Sequence, residues 1–233
     1  MISIRNIAAI VAALAALVLT PAFAGEIVGT VKYAGTAPKP APIRITKDKA
    51  VCAKTPQYDE SLVVSADGGV KNTVVKLADP PEGAQMPVRS ENPKLDQRGC
   101  KFVPRVQIVP AGQQMDILNS DGILHNIHTY PKNNAPINKA QPKFRKVMKQ
   151  TFEKPDLVRV TCDVHNWMTG YVIVAGHPYY ALTDESGSFR IEDVPQGTYT
   201  IEYWHEKLGK KTAQVTVPAA GSVSADLEYP AVD

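Results

Sequence analysis

One stretch of the sequence decides the fold of this chain: Val158-Arg159-Val160-Thr161-Cys162-Asp163-Val164-His165-Asn166-Trp167-Met168. Its first half alternates apolar and polar residues, which is the pattern of a half-buried β-strand. Its second half places a cysteine, a histidine and a methionine three residues apart, and these three ligand types together suit copper better than other common metals. On one extended strand these side chains would point to alternating faces. The sequence therefore predicts that a strand delivers Cys162 into a tight metal-binding loop, and that a second strand starts at Gly170.

A fourth ligand is expected from the upstream segment Leu124-His125-Asn126-Ile127-His128. In an extended conformation His125 shares a face with Ile127, whereas His128 points the opposite way. Because an apolar neighbour marks the inward face, we predict that His125 is the ligand and that His128 is a surface or strand-edge residue. Asn126 is expected to brace the cysteine loop without binding the metal itself.

The remainder of the chain is also patterned for β-structure, and helical periodicity is nearly absent after the first 24 residues. Short apolar or alternating runs are separated by turn words that contain many of the 19 prolines and 15 glycines. Many short strands with such spacing predict an all-β sandwich or barrel. The candidate strands are Glu26–Tyr33, Ser61–Ser65, Val70–Leu77, Phe102–Val109, Gln113–Leu118, Lys149–Phe152, Leu157–Cys162, Gly170–Val174, Tyr179–Thr183, Ser188–Ile191, Thr198–Trp204, Thr212–Val217 and Ser222–Glu228.

Residues 1–24 have the features of a secretory signal peptide. Arg5 supplies a positive charge, an uncharged apolar run follows to Leu19, and Ala22-Phe23-Ala24 places small residues before the predicted cleavage after Ala24. The apolar run is shorter than the ~20 residues that a bilayer core requires, so no stable membrane insertion is expected. A periplasmic or secreted location follows. Removing this segment takes away only Arg5 and changes the formal charge from +3 to +2, which does not indicate a nucleic-acid partner.

The chain has three cysteines, an odd number for an exported protein. Cys52 and Cys100 lie in loop-like contexts, while Cys162 lies in the metal-like cluster. We predict a Cys52–Cys100 disulfide and a Cys162 thiolate. The alternative is that Cys52 and Cys100 are free or bind a second metal, although no histidine lies near either one in sequence.

Two further features each leave two interpretations open. Trp167 lies inside the ligand loop, where it either forms part of an exposed apolar patch for a partner or anchors the loop over the metal. A run of basic residues without any acid lies between the two metal-binding segments. It either steers an acidic partner or is an ordinary solvated loop. Its members are Lys139, Lys143, Arg145, Lys146 and Lys149.

The last 50 or so residues resemble the carboxypeptidase regulatory-like modules, which are small transthyretin-like β-sandwiches. The resemblance rests on the turn words Asp184-Glu185-Ser186-Gly187 and Pro195-Gln196-Gly197 and on the strands that follow them. It implies a fold and says almost nothing about function. Residues 25–34 resemble the first strand of such modules, so we hypothesise that the metal domain is inserted into a sandwich built from both ends of the chain.

The metal-binding segments, residues 119–130 and 161–174, resemble those of the blue copper proteins (cupredoxins), with a loop as short as that of amicyanin-like members. The resemblance covers about residues 97–174. It implies a Greek-key β-sandwich with one mononuclear type 1 copper. The resemblance places His125, Cys162 and His165 in the trigonal plane and Met168 as the weak axial ligand. The expected domains are a signal peptide (1–24), a cupredoxin-like domain (25–176, core about 97–176) and a carboxypeptidase regulatory-like module (177–233).

The expected function is that of a periplasmic carrier of single electrons, and not that of an enzyme. Partners implied by the resemblance are redox proteins such as a c-type cytochrome, a quinoprotein dehydrogenase or a copper oxidase. A single loop cysteine excludes a binuclear copper centre, and a Cys–His nucleophile would need an orienting group and an oxyanion site that the sequence does not mark. Two alternatives stay open. One is a periplasmic copper-binding chaperone; the other is a non-redox module that binds carbohydrate or protein.

Overall fold

The computed structural model describes residues 24–231. Within this range the chain forms seventeen β-strands and a single helical turn, which confirms the predicted all-β class. The predicted signal peptide lies almost entirely outside the described residues. No helix in the described range is long and apolar enough to cross a membrane. The elements are β1 (Ala24–Tyr33), α1 (Lys49–Cys52), β2 (Val74–Leu77), β3 (Lys94–Gln97), β4 (Phe102–Val103), β5 (Val106–Pro110), β6 (Gln114–Asn119), β7 (His125–Tyr130), β8 (Asn138–Gln141), β9 (Val147–Thr151), β10 (Asp156–Thr161), β11 (Thr169–Ala175), β12 (Tyr180–Leu182), β13 (Ser188–Pro195), β14 (Gly197–His205), β15 (Gly209–Val217), β16 (Ser222–Ser224) and β17 (Leu227–Tyr229).

The first β-sandwich, which we call the metal sandwich, packs two sheets against each other. One sheet has the order β5-β11-β10-β7-β8, and the other has the order β4-β3-β6-β9. Strand β10 shows how the sequence builds it: Val158 and Val160 are buried in the core, and Arg159 between them faces solvent. Because β10 lies between β11 and β7, the cysteine that follows β10 is placed beside the first residues of β7.

A second β-sandwich is built from both ends of the chain. Strand β1 pairs with β13 in antiparallel fashion and with β16 and β17 in parallel, which is the pairing that the insertion hypothesis requires. Strand β2 pairs with β12 and β14, although the predicted domain bounds assign it to the copper domain. The buried core of this second sandwich includes Ile27, Val31, Leu77, Ile201 and Tyr203. The second sandwich thus joins strands from before and after residue 176. The division into domains at that residue stays a prediction.

The two sandwiches contact each other through a small apolar cluster and one ion pair. Val74, Val106 and Ile173 are buried together between them. Beside this cluster, the Arg105 guanidinium donates two hydrogen bonds to the Glu206 carboxylate, with N···O distances of 2.6 and 2.7 Å. Bidentate pairs of this kind fix orientation as well as distance.

The list of candidate strands missed four elements, namely β3, β7, β8 and α1, and its candidate Ser61–Ser65 is not a strand. Strand β8 contains only one apolar residue, Ala140, so no alternation marks it. Strand β3 and helix α1 have four residues each, too few to show a period. The single candidate strand over residues 102–109 is two strands, β4 and β5, because Pro104 has no N–H to donate to a ladder.

Candidate metal centre

Three buried side chains predicted as ligands converge at one end of the metal sandwich. Cys162 directly follows β10, His165 lies in the loop before β11, and His125 is the first residue of β7. The Nδ1 atom of His125 lies 3.8 Å from the Cys162 Sγ atom, and the Nδ1 atom of His165 lies 3.7 Å from it. The two Nδ1 atoms lie 3.0 Å apart. The three side chains thus form one compact group in which each offers a ligand atom.

These distances fit a single metal ion. A point equidistant from the two Nδ1 atoms and the Sγ atom lies about 2 Å from each of them. Protein metal ions such as zinc sit ~2.0–2.1 Å from histidine nitrogen and ~2.3 Å from cysteine sulfur. One trigonal metal position therefore fits this group with little movement of the side chains.

Each imidazole is fixed by a carboxylate on the side away from the cysteine. The Nε2–H of His125 donates to the Asp121 carboxylate, and the Nε2–H of His165 donates to the Asp48 carboxylate, each with an N···O distance of 2.9 Å. A neutral imidazole that donates from Nε2 keeps the lone pair of Nδ1 free for a metal. Carboxylates in this position orient histidine ligands and raise their basicity. Both histidine rings are fully buried.

Asp121 and Asp48 were not predicted from the sequence. Asp121 lies in the Ser120-Asp121-Gly122 turn, and its carboxylate also accepts hydrogen bonds from the backbone N–H groups of Gly99 (2.6 Å) and Cys100 (2.8 Å). Its spacing, four residues before His125, was the only available signal. Asp48 is separated from His165 by 117 residues, so no local pattern could connect them.

The predicted disulfide is present and lies against the metal centre. Cys52 and Cys100 are bonded to each other, and both are buried. Their sulfur atoms lie within 4.8 Å of a ring nitrogen of His165. Cys52 ends helix α1, which begins directly after Asp48, so the disulfide fastens the segment that carries Asp48 over the metal site. The side chain of Gln57 holds the same segment by donating to the carbonyls of Cys52 (2.6 Å) and Gly99 (2.8 Å).

Asn126 joins the two segments that carry the candidate ligands. Its backbone N–H points at the Cys162 Sγ atom at 3.5 Å. Its side-chain oxygen accepts a hydrogen bond from the backbone N–H of Asp163 at 2.5 Å. The side chain of Asn126 therefore ties the residue after Cys162 to β7, and its backbone stabilises negative charge on the sulfur.

Trp167 contacts the other side of the ligand loop. Its ring centre lies 5.2 Å from that of His165, and its indole N–H donates to the carbonyl of Cys100 at 3.2 Å. Since the ring is half-buried and hydrogen-bonded, these contacts favour the interpretation of Trp167 as a loop anchor.

His128 and Met168 are placed differently from the three converging side chains. His128 lies on β7 between β10 and β8, and its side chain is partly exposed, with its Nδ1 atom 3.0 Å from the Asp163 carboxylate. Met168 is buried in the core of the metal sandwich, and its backbone N–H donates to the carbonyl of His165 at 3.0 Å. The axial role of Met168 stays a prediction.

Ionisation of the group favours metal binding. Burial by itself would raise the pKa of Cys162, but hydrogen bonds from His125 and from the backbone N–H of Asn126 outweigh it and lower this pKa. Burial would also lower the pKa of His125, but its hydrogen bonds to Asp121 and Cys162 raise it to about 9. For His165, burial and the charge of His125 lower the pKa despite the bond to Asp48. These shifts favour the thiolate form of Cys162 and the neutral form of His165, whereas His125 has to lose a proton before it can bind a metal.

Comparisons with known proteins match parts of this chain. A purple cupredoxin from Nitrosopumilus maritimus is 20% identical over 36% of this chain and 100% of that chain, with a TM-score of 0.31. A copper-containing nitrite reductase from Thermus scotoductus is 21% identical over 42% of this chain and 25% of that chain, with a TM-score of 0.32. A variant of amicyanin in its reduced state is 19% identical over 43% of this chain and 98% of that chain, with a TM-score of 0.33.

A family profile described as polysaccharide lyase family 4, domain II, matches residues 155–225. This match begins just before β10 and so overlaps the strand that carries Cys162. No curated protein matches the chain. With these TM-scores and this partial family match, the function has to be inferred from the geometry of the site.

Proposed function

We propose that this chain is an exported type 1 copper protein that carries single electrons between redox proteins. The observation that carries the proposal is the convergence of two Nδ1 atoms and one Sγ atom around a point about 2 Å from each. Two histidines and one cysteine in a trigonal arrangement, with a methionine available as a weak axial ligand, are typical of copper sites for electron transfer. Bound copper would supply a one-electron Cu(II)/Cu(I) couple.

The residues around the site support rapid electron transfer because they resist rearrangement. Asp121 and Asp48 hold the two imidazole rings, and Asn126 holds the residue after Cys162. Strands β10 and β11 hold both ends of the ligand loop. Ligands that are fixed in this way keep the same geometry in both oxidation states, which lowers the energy needed to reorganise the site.

Burial of the ligands supports a carrier over an enzyme or a copper chaperone. His125 and His165 are fully buried, and Cys162 and Met168 are almost fully buried. A substrate would need an open coordination position, and a chaperone would need ligands that a partner can reach in order to exchange the metal. We propose donors or acceptors such as a c-type cytochrome, a quinoprotein dehydrogenase or a copper oxidase.

The test is to add Cu(II) to the purified metal-free protein and to record its visible spectrum. An intense thiolate-to-copper band and a reversible one-electron wave in voltammetry are expected. The variant Cys162→Ala should lose the band, and the matched variant His128→Ala should keep it, because His128 lies outside the group. Copper that binds without colour, or a band that survives Cys162→Ala, would overturn the proposal. The proposed export is tested separately: the N-terminus of the protein from the periplasm should be Gly25.

A second candidate, carbohydrate binding, is favoured by a cleft between the two sandwiches. The cleft has a volume of about 260 Å³ and places aromatic and charged side chains together, as sugar sites do. The matched family profile, which overlaps it, belongs to a polysaccharide lyase family. Affinity electrophoresis in gels that contain soluble polysaccharides tests this candidate, and unretarded migration would remove it. The side chains concerned are Lys76, Asp156, Tyr180, Glu202 and Trp204.

A further inference from the structure

Three large apolar side chains at the end of the metal sandwich that carries His125 are exposed to solvent. Phe144 is 77% exposed, and Leu124 and Val147 are each 47% exposed. Exposed aromatic and aliphatic side chains that lie together mark interaction sites more often than isolated ones do. These three lie on loops or strand ends at the same end of the metal sandwich.

Strand register places the three side chains on adjacent segments. His125 pairs with Gln141, so Leu124 lies opposite the start of the loop 142–146 that carries Phe144. Val147 ends this loop and pairs with Leu118 at the end of β6. The side chain of Asn119 connects the two loops by donating to the carbonyls of Ile123 (2.8 Å) and Gln141 (2.9 Å).

The loop that presents Phe144 is held from inside the sandwich. Gln141 is fully buried, and its side-chain N–H groups donate to the carbonyls of Ile117 (3.0 Å) and Arg145 (3.1 Å). Its side-chain oxygen accepts a hydrogen bond from Gln97 at 2.6 Å. A preformed loop of this kind loses little conformational freedom when a partner binds.

Unpaired positive charge lies on the same segments of chain as Phe144 and Val147. Four basic residues with exposed side chains lie on β8 and the loop that follows it, and none of them forms an ion pair within residues 24–231. Lys149, by contrast, is paired with Asp116 at 3.4 Å. An apolar centre with a charged rim is the usual anatomy of a protein interface. The four residues are Lys139, Lys143, Arg145 and Lys146.

The patch also contains an exposed apolar residue that directly flanks a proposed ligand in sequence. Three exposed residues directly flank a ligand in sequence, namely Leu124, Asp163 and Asn166. Only Leu124 is apolar, and one peptide bond separates it from His125. The rings of His125 and His165 are themselves fully buried, so neither can contact a partner directly.

We propose that Leu124, Phe144 and Val147, with their basic rim, form the docking face for an acidic redox protein. This inference rests on the proposed electron-transfer function and specifies its partner. The unpaired positive charges raise the rate of encounter with an acidic surface, and the apolar centre then holds the complex close to His125. A small patch suits a short-lived complex, as electron transfer between carriers requires.

The test uses an acidic c-type cytochrome and a basic one as probes. The reduced, copper-loaded protein is mixed with the oxidised acidic cytochrome. The second-order rate constant for electron transfer between them should fall as ionic strength rises. The double variant Lys143→Glu/Arg145→Glu should lower this rate constant about tenfold at low ionic strength. Phe144→Ala should lower it about fivefold. Matched controls, Lys211→Glu for charge and Val88→Ala for an exposed apolar residue (86%), should stay within about twofold of the wild type.

A second measurement does not depend on copper. Addition of the acidic cytochrome to the ¹⁵N-labelled metal-free protein should shift the amide signals of Leu124, Phe144 and Val147, whereas the basic cytochrome should not. If no copper colour forms but these shifts occur, the proposed function fails and the docking face stands.

Three results would overturn the docking face itself. One is a coloured, redox-active protein in which the patch variants react as fast as the controls. Another is a set of amide signal shifts, caused by the acidic cytochrome, that is centred on a different surface of the protein. The third is Phe144-dependent binding to anionic phosphatidylglycerol vesicles without any shifts from the acidic cytochrome, which would assign the patch to a membrane surface.

Discussion

Replacing Asp121 by asparagine should damage the metal centre far more than the same replacement of Asp48. Three N–H groups converge on the two oxygens of Asp121, namely those of His125, Gly99 and Cys100. Asparagine has one side-chain oxygen, so its NH₂ group must face at least one of these donors. Within residues 24–231 the side chain of Asp48 accepts only the His165 Nε2–H, which one amide oxygen can still do.

The expected magnitudes follow from this count. A buried N–H group that loses its partner costs about 1–3 kcal/mol, so Asp121→Asn should lower the free energy of unfolding of the metal-free protein by about that amount. Loss of an outer carboxylate typically weakens metal binding about 10–100-fold, or ~1.4–2.7 kcal/mol. For Asp48→Asn we expect a loss of less than about tenfold in copper affinity. Asp48 is also a suitable site for asparagine, because its left-handed backbone (φ 47°) tolerates that residue.

The pH dependence sharpens this prediction. Asp121 helps to raise the pKa of His125 to about 9, so the metal displaces a proton from this ring in the wild type. In Asp121→Asn the ring loses that support and holds its proton less tightly, which partly offsets the weaker copper binding near pH 7. The difference in affinity between wild type and Asp121→Asn should therefore widen from pH 7 to pH 9.

Competition with a copper chelator at pH 7, 8 and 9 measures the affinities, and urea unfolding of the metal-free proteins measures the stabilities. Equal losses of copper affinity and of stability in Asp121→Asn and Asp48→Asn would refute the inference that the number of N–H donors on each carboxylate sets the damage. A difference that narrows as pH rises would refute the assigned role of Asp121 in protonating His125.

The remaining predictions concern pH, the disulfide and the second histidine. Because the pKa of His125 is raised to about 9, the copper affinity of the wild type should rise about tenfold per pH unit from pH 7 to pH 9 and level off above pH 9. An affinity that does not change with pH in chelator competition would contradict the raised pKa of His125. The double variant Cys52→Ala/Cys100→Ala removes a disulfide between residues 48 positions apart. It should lower the free energy of unfolding, measured in urea, by about 4 kcal/mol. A decrease of less than about 1 kcal/mol would show that buried contacts hold this segment without the disulfide. His128→Ala should leave the copper band unchanged but loosen Asp163, which should be seen as faster hydrogen exchange of the Asp163 amide. Loss of the band in this variant would move the ligand role to His128.

Much of the metal centre was predictable because it is encoded locally. The order strand, cysteine, histidine, methionine lies within residues 158–168, and strand alternation is enough to separate buried His125 from partly exposed His128. Parity of the cysteines predicted the bond between Cys52 and Cys100, which the structure contains. These inferences use only neighbours in sequence, whose relative direction a β-strand fixes by itself.

The tertiary structure decided what lies around those residues. Asp48 reaches His165 across 117 positions, and its turn is fixed by the disulfide and by Gln57. Strand β1 finds its partners near the other end of the chain. The exposure of Phe144 depends on how two loops meet at one end of the sandwich. The sequence by itself determined the candidate ligands and the β-pattern, because these are properties of short segments. The carboxylates on the histidines and the exposed basic patch depend on contacts between distant segments, and no local pattern carries that information.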